Sequence, residues 1–250
     1  MTFACMNFGQ MYSRCRKRRL RKGTVAVFAI SHIAVQLLLW PLPWWIRRKI
    51  LAFTYGWEVA SDARIGLSVI LARRLVMKSS SGIGHLNFIR VDDMTLGICA
   101  TIGHLNWISG FPKNNSSAFG DATERQPRLG LLDHAAITNR HRFDCTDEIE
   151  IGRFTTFAGW NSQVLTHSIE IEDARQHCAP VRIGAYCFVG TQVVILKGAR
   201  LPDFSVLGAG SILAHAMTDT YTLYSGVPAR PIRQLDATSR YFSRAVWFCS

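Results

Sequence analysis

Three histidines in the second half of the chain, His141, His167 and His177, are the side chains best suited to proton chemistry near neutral pH, where imidazole alone changes charge. Two chemistries are open to them. A single imidazole serves as general base towards an alcohol, which is a weak nucleophile until its proton is withdrawn. Three neutral imidazoles with one open position would instead hold zinc and activate a water molecule. The three are separated by 26 and 10 residues. Two further histidines, His85 and His104, stand in the near-identical segments IGHLNFI and IGHLNWI, and are read as matching outward positions of an internal repeat rather than as metal ligands. The seven cysteines contain no CxxC pair, which suits free thiols in a reducing compartment.

The elements that position these residues are short and periodic. Ile183, Val189, Ile195, Leu201, Leu207 and Leu213 recur at every sixth place, and Cys187, Val193, Ala199, Ser205 and Ser211 follow each of the first five at a fixed offset. A hexapeptide period with a small residue at one offset marks a solenoid of short strands stacked coil on coil. Less regular coils begin near Gly56. Ile65-Gly66, Ile83-Gly84 and Ile102-Gly103 are spaced by 18 and 19 residues, about three hexapeptides. The pattern fails at about 109–131, where Gly, Pro, Asn and Ser accumulate, and again at 169–180, so two surface excursions are expected there.

Charge is segregated along the chain. The net charge is +12, yet no Asp or Glu precedes Glu58, and Arg14, Arg16, Lys17, Arg18, Arg19, Arg21, Lys22, Arg47, Arg48 and Lys49 account for most of the excess. The remainder is close to neutral, which argues against nucleic acid as a partner. Between the two basic groups runs an uncharged stretch, Thr24 to Ile46, with Trp40, Trp44 and Trp45 near its end. A helix is expected to stop at Trp40 before Pro41 and Pro43. Residues 14–49 suit the surface of an anionic membrane, with the helix lying in the interface. The alternatives are a span or re-entrant hairpin, and a helix covering the open end of the solenoid. The expected organisation is thus a membrane-associated segment at 1–49, a β-solenoid at 50–235 and a tail at 236–250.

The run IGAYCFVGTQVVILKGARLPDFSVLGAGSIL, with APVRIG at Ala179 to Gly184, GAGS at Gly208 to Ser211 and GVPARPI at Gly226 to Ile232, resembles the hexapeptide-repeat acyltransferases. Its likeness is to saccharide O-acetyltransferases of the maltose, galactoside and extracellular-polysaccharide kinds. The resemblance is strong over about 129–235, looser over 57–108, and absent at the ends. It implies an all-β fold, a left-handed parallel β-helix, working as a homotrimer. It also implies direct transfer of an acetyl group from acetyl-CoA to a saccharide hydroxyl, with no metal.

In that family a histidine before the PI.IG segment is the general base, and His167 matches it, while His141 is a second candidate. Asn139 and Asp144 are candidates for sugar hydroxyls and Trp160 for an apolar sugar face. Glu170, Glu172 or a backbone carbonyl would orient His167. Gly190, Gly208, Ala209 and Gly210 would admit the pantetheine arm, and Lys197 and Arg230 would meet CoA phosphates. The basic N-terminus points to a lipid-linked glycan acceptor and to a cytoplasmic enzyme on the inner face of the membrane. Two other readings remain at this stage: a zinc enzyme like the γ-class carbonic anhydrases, using His141, His167 and His177, and a non-catalytic scaffold.

Overall fold

A computed structural model of the chain describes residues 30–114, 119 and 124–245. The chain divides into two units, 1–41 and 42–250. In the first, residues 30–39 are helical and the helix ends before Pro41. The basic cluster from Arg14 to Lys22 lies outside the described residues. No helix among the described residues is long and apolar enough to cross a membrane.

The second unit is a parallel β-solenoid whose coils present three faces. Face A stacks Arg64–Ile65, Gly82–Ile83, Thr101–Ile102, Ala136–Ile137, Thr156–Phe157, Phe188–Val189, Val206–Leu207 and Thr222–Gly226. Face B carries Trp107–Ser109, Arg142–Asp144, Gln163–Leu165, Val194–Ile195 and Ile212–Leu213. Face C carries Arg128–Leu131, Ile149–Ile151, Val181–Ile183 and Arg200–Leu201. In the first two coils, the nine-residue strands Val69–Met77 and Phe88–Leu96 run across faces B and C together.

The hexapeptide period is the core. Ile183, Val189, Ile195, Leu201, Leu207 and Leu213 point inward and are at most 2% exposed. Each such burial contributes about 1.5–3 kcal/mol. The small residues line the corners, where Cys187, Val193, Ser205 and Ser211 are wholly buried. Among the described residues the cysteines Cys99, Cys145, Cys178 and Cys187 are free thiols.

Both ends of the solenoid are covered. The helix Trp44–Tyr55 lies over the first coil and donates to its carbonyls: Trp44 Nε1 to Ala63, Arg47 to Gly66 and Arg48 to Val59, at 2.8–3.0 Å. The polar groups of Trp44, Arg47 and Arg48 thus serve the open end of the solenoid, the arrangement expected of a covering helix. At the other end, GVPARPI forms an antiparallel hairpin, Thr222–Gly226 with Ala229–Gln234. In the expected tail, the described residues 236–245 also pack on this end. The short helix Arg240–Ser243 buries Phe242 against the solenoid, and Tyr241 donates its hydroxyl to the Cys187 carbonyl at 3.0 Å.

Where face A turns into face B, buried polar side chains form a ladder from coil to coil. Asn106 N–H donates to Asn87 Oδ1 at 2.8 Å, His141 N–H to Asn106 Oδ1 at 2.9 Å, and Ser162 N–H to His141 Nδ1 at 3.2 Å. Since Nδ1 accepts, the neutral ring carries its proton on Nε2 and donates it to Thr138 Oγ1 at 2.9 Å. His141 is 0% exposed, and burial pushes its pKa down to about 4 against the opposing influence of the Gly159 carbonyl. Below about pH 6.5 the unfolded chain takes up a proton that the fold refuses until about pH 4, so stability falls across that window, by roughly 3 kcal/mol in all. Replacing His141 by Asn continues the ladder without a titrating ring. His141→Asn is expected to remain folded and to lose this component of the acid sensitivity, as read by denaturant unfolding at a series of pH values. An unchanged pH slope would overturn this account of His141.

Candidate active site

Faces A and B, and faces C and A, meet at regular turns, whereas the corner between B and C is interrupted on successive coils. The third coil leaves it after Ser109 for the insertion at 110–127. The fourth turns through Cys145 to Glu148. The fifth leaves at His167 for an antiparallel hairpin, His167–Glu170 with Arg175–Cys178. The strand register stacks Ser109, Asp144 and Leu165 directly upon one another, so both excursions are anchored beside Asp144.

That stacking brings His167 over Asp144. Nδ1 of the ring lies 2.5 Å from Asp144 Oδ2, the same oxygen that accepts from Thr166 N–H at 3.1 Å. Asp144 Oδ1 accepts from the Thr146 hydroxyl at 2.6 Å and the Thr146 N–H at 3.2 Å. Burial by itself pushes the Asp144 carboxyl pKa up. The hydrogen bonds from His167, Thr146 and Thr166, with the attraction of the imidazole, outweigh it and hold the group below its usual value as an anion. An anion on Nδ1 fixes the proton there and leaves the Nε2 lone pair free to accept one. Nε2 has no hydrogen-bond partner among the described residues, and the side chain is 28% exposed.

Among the described residues of the 110–127 insertion, Phe111, Phe119 and Arg125 form one wall of this site. Phe111 and Phe119 meet the His167 ring edge-to-face, with centroids at 5.6 and 5.9 Å. Behind Phe119 lies Arg125, 3% exposed, its guanidinium 4.6 Å from the ring centre and bonded to four backbone carbonyls. None of these three residues carries a sequence signal beyond its place in the excursion expected at 109–131.

Other expected residues lie elsewhere or are otherwise engaged. His141 belongs to the buried ladder and is closed to any acceptor, which corrects its assignment as a second base. Asp144, expected to meet sugar hydroxyls, is instead the partner of His167. Glu170 forms an ion pair with Lys197, and it is Asp144 that meets the His167 ring. Asn139 accepts from the His104 N–H at 2.7 Å and ends a corner ladder that begins with His85 and His104, whose rings stack at 5.4 Å. Trp160 is 56% exposed at the same A–B corner, across face B from His167.

The glycines have structural reasons of their own. A Cβ on Gly190 would come within 2.7 Å of Ala209 N, and one on Gly208 within 2.7 Å of Ser225 Oγ, while Gly210 turns at φ +69° beside exposed Ala209. Arg230 is exposed on the last antiparallel strand. His177 pairs with Asp173 at 3.0 Å on the hairpin. His141, His167 and His177 do not converge, and no group of three metal-ligating side chains occurs among the described residues. The zinc arrangement is set aside because its donor set is dispersed.

No family model matches the chain. Over 71 residues it is 31% identical to the galactoside O-acetyltransferase of Escherichia coli (strain K12), a match covering 28% of this chain and 34% of that protein. The chain resembles the hexapeptide-repeat acetyltransferases. It thus spans about a third of the length of the curated relative it matches. Among solved structures it is similar to the polysialic acid O-acetyltransferase OatWY, with a TM-score of 0.48 at 16% identity over 76% of this chain and 90% of that one. It is also similar to a mutant of the N-acyltransferase AntD from Bacillus cereus, solved with dTDP-4-amino-4,6-dideoxyglucose and coenzyme A. There the TM-score is 0.47 at 15% identity, over 68% of this chain and 84% of that one.

The two environments of His167 and His141 differ enough to be separated by a chemical probe. Diethyl pyrocarbonate at neutral pH is expected to modify His167 and to leave His141 untouched in the folded protein, as read by peptide mass spectrometry. Modification of His141 ahead of His167 would refute this placement.

Proposed function

We infer that the chain is an acetyl-CoA-dependent O-acetyltransferase acting on a saccharide hydroxyl, with His167 as general base. The observation that carries this reading is the Asp144–His167 pair, with Nδ1 held at 2.5 Å and Nε2 free beside an aromatic wall. The partial likeness to a galactoside O-acetyltransferase supports the acceptor class.

In the proposed reaction the acceptor hydroxyl gives its proton to His167 Nε2 as its oxygen bonds to the thioester carbonyl carbon. The positive ring that forms is stabilised by the Asp144 carboxylate. The tetrahedral intermediate collapses by breaking the carbon–sulfur bond, and the imidazolium returns the proton to the departing thiolate. The products are an acetyl ester and free CoA, with no acyl-enzyme. Most of the rate gain then comes from holding two substrates in line beside a fixed base.

Cys178 and Cys187 fit a nucleophilic role poorly, because burial pushes both thiols up, Cys187 to about 12. The assembly we propose is a homotrimer of left-handed β-helices. A lipid-linked glycan or surface-polysaccharide precursor is the acceptor that best suits the basic N-terminus, with the enzyme cytoplasmic and peripheral on the inner face of the membrane.

The test is release of CoA thiol from acetyl-CoA in the presence of saccharide acceptors. His167→Ala is expected to lower the rate by about 10³-fold and Asp144→Asn by about 10²-fold, each with a melting temperature within a few degrees of the unaltered protein. Full activity in His167→Ala would overturn the assignment of the base. An acetyl-CoA-independent chain with intact fold would overturn the reaction class.

A further inference from the structure

Arg125 is an unusual residue to bury. The residue is 3% exposed, and no salt bridge forms with it among the described residues, so its charge is balanced by carbonyl dipoles and one aromatic face. Burying a charge so nearly out of water is costly unless its donors are satisfied. Here the planar fork satisfies them in a way a lysine ammonium does not reproduce. Nη1 donates to the carbonyls of Phe111 at 2.8 Å and Thr146 at 3.1 Å, while Nη2 donates to those of Pro112 and Lys113, the latter at 3.1 Å. One side chain therefore clamps the start of the 110–127 insertion to the turn that follows Asp144.

Both ends of that clamp reach His167. On one side Arg125 packs over Phe119, which with Phe111 meets the imidazole edge-to-face. On the other it holds Thr146, whose hydroxyl accepts from Phe111 N–H at 3.2 Å and donates to Asp144 Oδ1 at 2.6 Å. The charged and titratable groups nearby are Asp144 beneath the ring, Cys178 opposite it in the hairpin register, the Glu170–Lys197 pair beyond, and Asp147, which fixes Gln126 N–H at 2.9 Å. None of them replaces what Arg125 does for the wall.

We propose that Arg125 is a positioning residue for the base: it holds Phe111, Phe119 and Thr146 so that the His167–Asp144 hydrogen bond stays short and screened from water. The inference rests on the reading of His167 as the base, but it concerns a hydrogen bond that can be observed without turnover. Arg125 touches no reacting atom. Its effect should fall on kcat, through the orientation of His167, and leave the KM for acetyl-CoA nearly unchanged.

The test uses the full chain labelled with ¹⁵N-histidine and follows the downfield Nδ1–H proton of His167 by NMR, alongside steady-state kinetics. In the unaltered protein that proton should be observed as a slowly exchanging downfield resonance. Arg125→Met keeps the aliphatic stem and removes the fork. It is expected to broaden the resonance into the solvent line and to lower kcat about 10-fold or more, since a small misplacement of reacting groups is enough for such a loss. Arg125→Lys should recover little, because the ammonium cannot hold four carbonyls.

If Arg125→Met fails to fold, Phe119→Leu retains the clamp and removes the ring it supports, and is expected to give the same spectral and kinetic loss. A folded Arg125→Met, or failing that a folded Phe119→Leu, that keeps the resonance and kcat would overturn the proposal. Absence of any acetyl transfer by the unaltered protein would sink the acyltransferase reading, while the NMR comparison would still decide the role of Arg125.

Discussion

Everything in this fold depends on one spacing, the separation of about 4.8 Å at which parallel strands pair. A coil that meets its neighbours on three faces has to keep that spacing on all three at once, so its corners are constrained as tightly as its strands. At the A–B corner the turn is made by Leu86, Leu105, Arg140, Asn161 and Gln192, and at the C–A corner by Ser80, Cys99, His134, Phe154, Tyr186, Phe204 and Tyr221, all at φ between 55° and 60° save Tyr221 at 51°. Left-handed backbone costs a non-glycine residue about 1 kcal/mol or more. The stacking offsets it. Rings at the C–A corner lie on one another with centroids 4.4–5.4 Å apart from His134 to Tyr221, near the strand spacing itself. Buried Asn and His side chains do the same work at the A–B corner.

The third corner is different, and the Asp144–His167 pair lies there for that reason. In the first two coils the chain runs around it as a continuous strand. In the third and fifth it opens into excursions, and the sixth closes it with Gly198 at φ +75°. A rigid coil offers little room for a functional side chain to approach another, because each inward place is filled and each outward one is repeated 4.8 Å away. Interrupting a corner breaks the repetition without disturbing the two regular corners that hold the coils together. Phe111 and Phe119 of the insertion then meet, across the intervening coil, the imidazole that begins the hairpin.

Much of this was legible in the sequence, and the limits have physical causes. The hexapeptide period identified the buried residues from Ile183 to Leu213, because a solenoid repeats one environment and the repeat is written directly into residue type. His85 and His104 were readable as equivalent positions for the same reason. The partner of His167 was not. Asp144 lies 23 residues earlier, and its position beneath the ring depends on the register of two strands, which the irregular coils between 109 and 180 do not display. His141 was a candidate base by residue type, which does not tell an inward corner position from an outward one. The corner turns Arg140 outward and His141 inward, to a place where its ring nitrogen substitutes for an asparagine oxygen. The glycines of GAGS and the Arg47–Arg48 pair had structural duties that sequence alone does not separate from functional ones.

The two oxygens of Asp144 explain why a carboxylate, rather than a backbone carbonyl, serves His167 here. Oδ1 is occupied by Thr146 of its own coil, and Oδ2 by Thr166 and His167 of the next. One planar group thus accepts from two successive coils, with the turn that anchors the insertion on one side and His167 on the other. A backbone carbonyl, already committed to the ladder, could bind only one of them, and a neutral amide would present a donor where an acceptor is needed. The longer side chain of glutamate would carry the same two oxygens past the register that places Asp144 against Thr166. The negative charge is retained despite burial because hydrogen bonds from Thr146, Thr166 and His167 converge on it, and that retained charge keeps the imidazole proton on Nδ1 and the lone pair of Nε2 free.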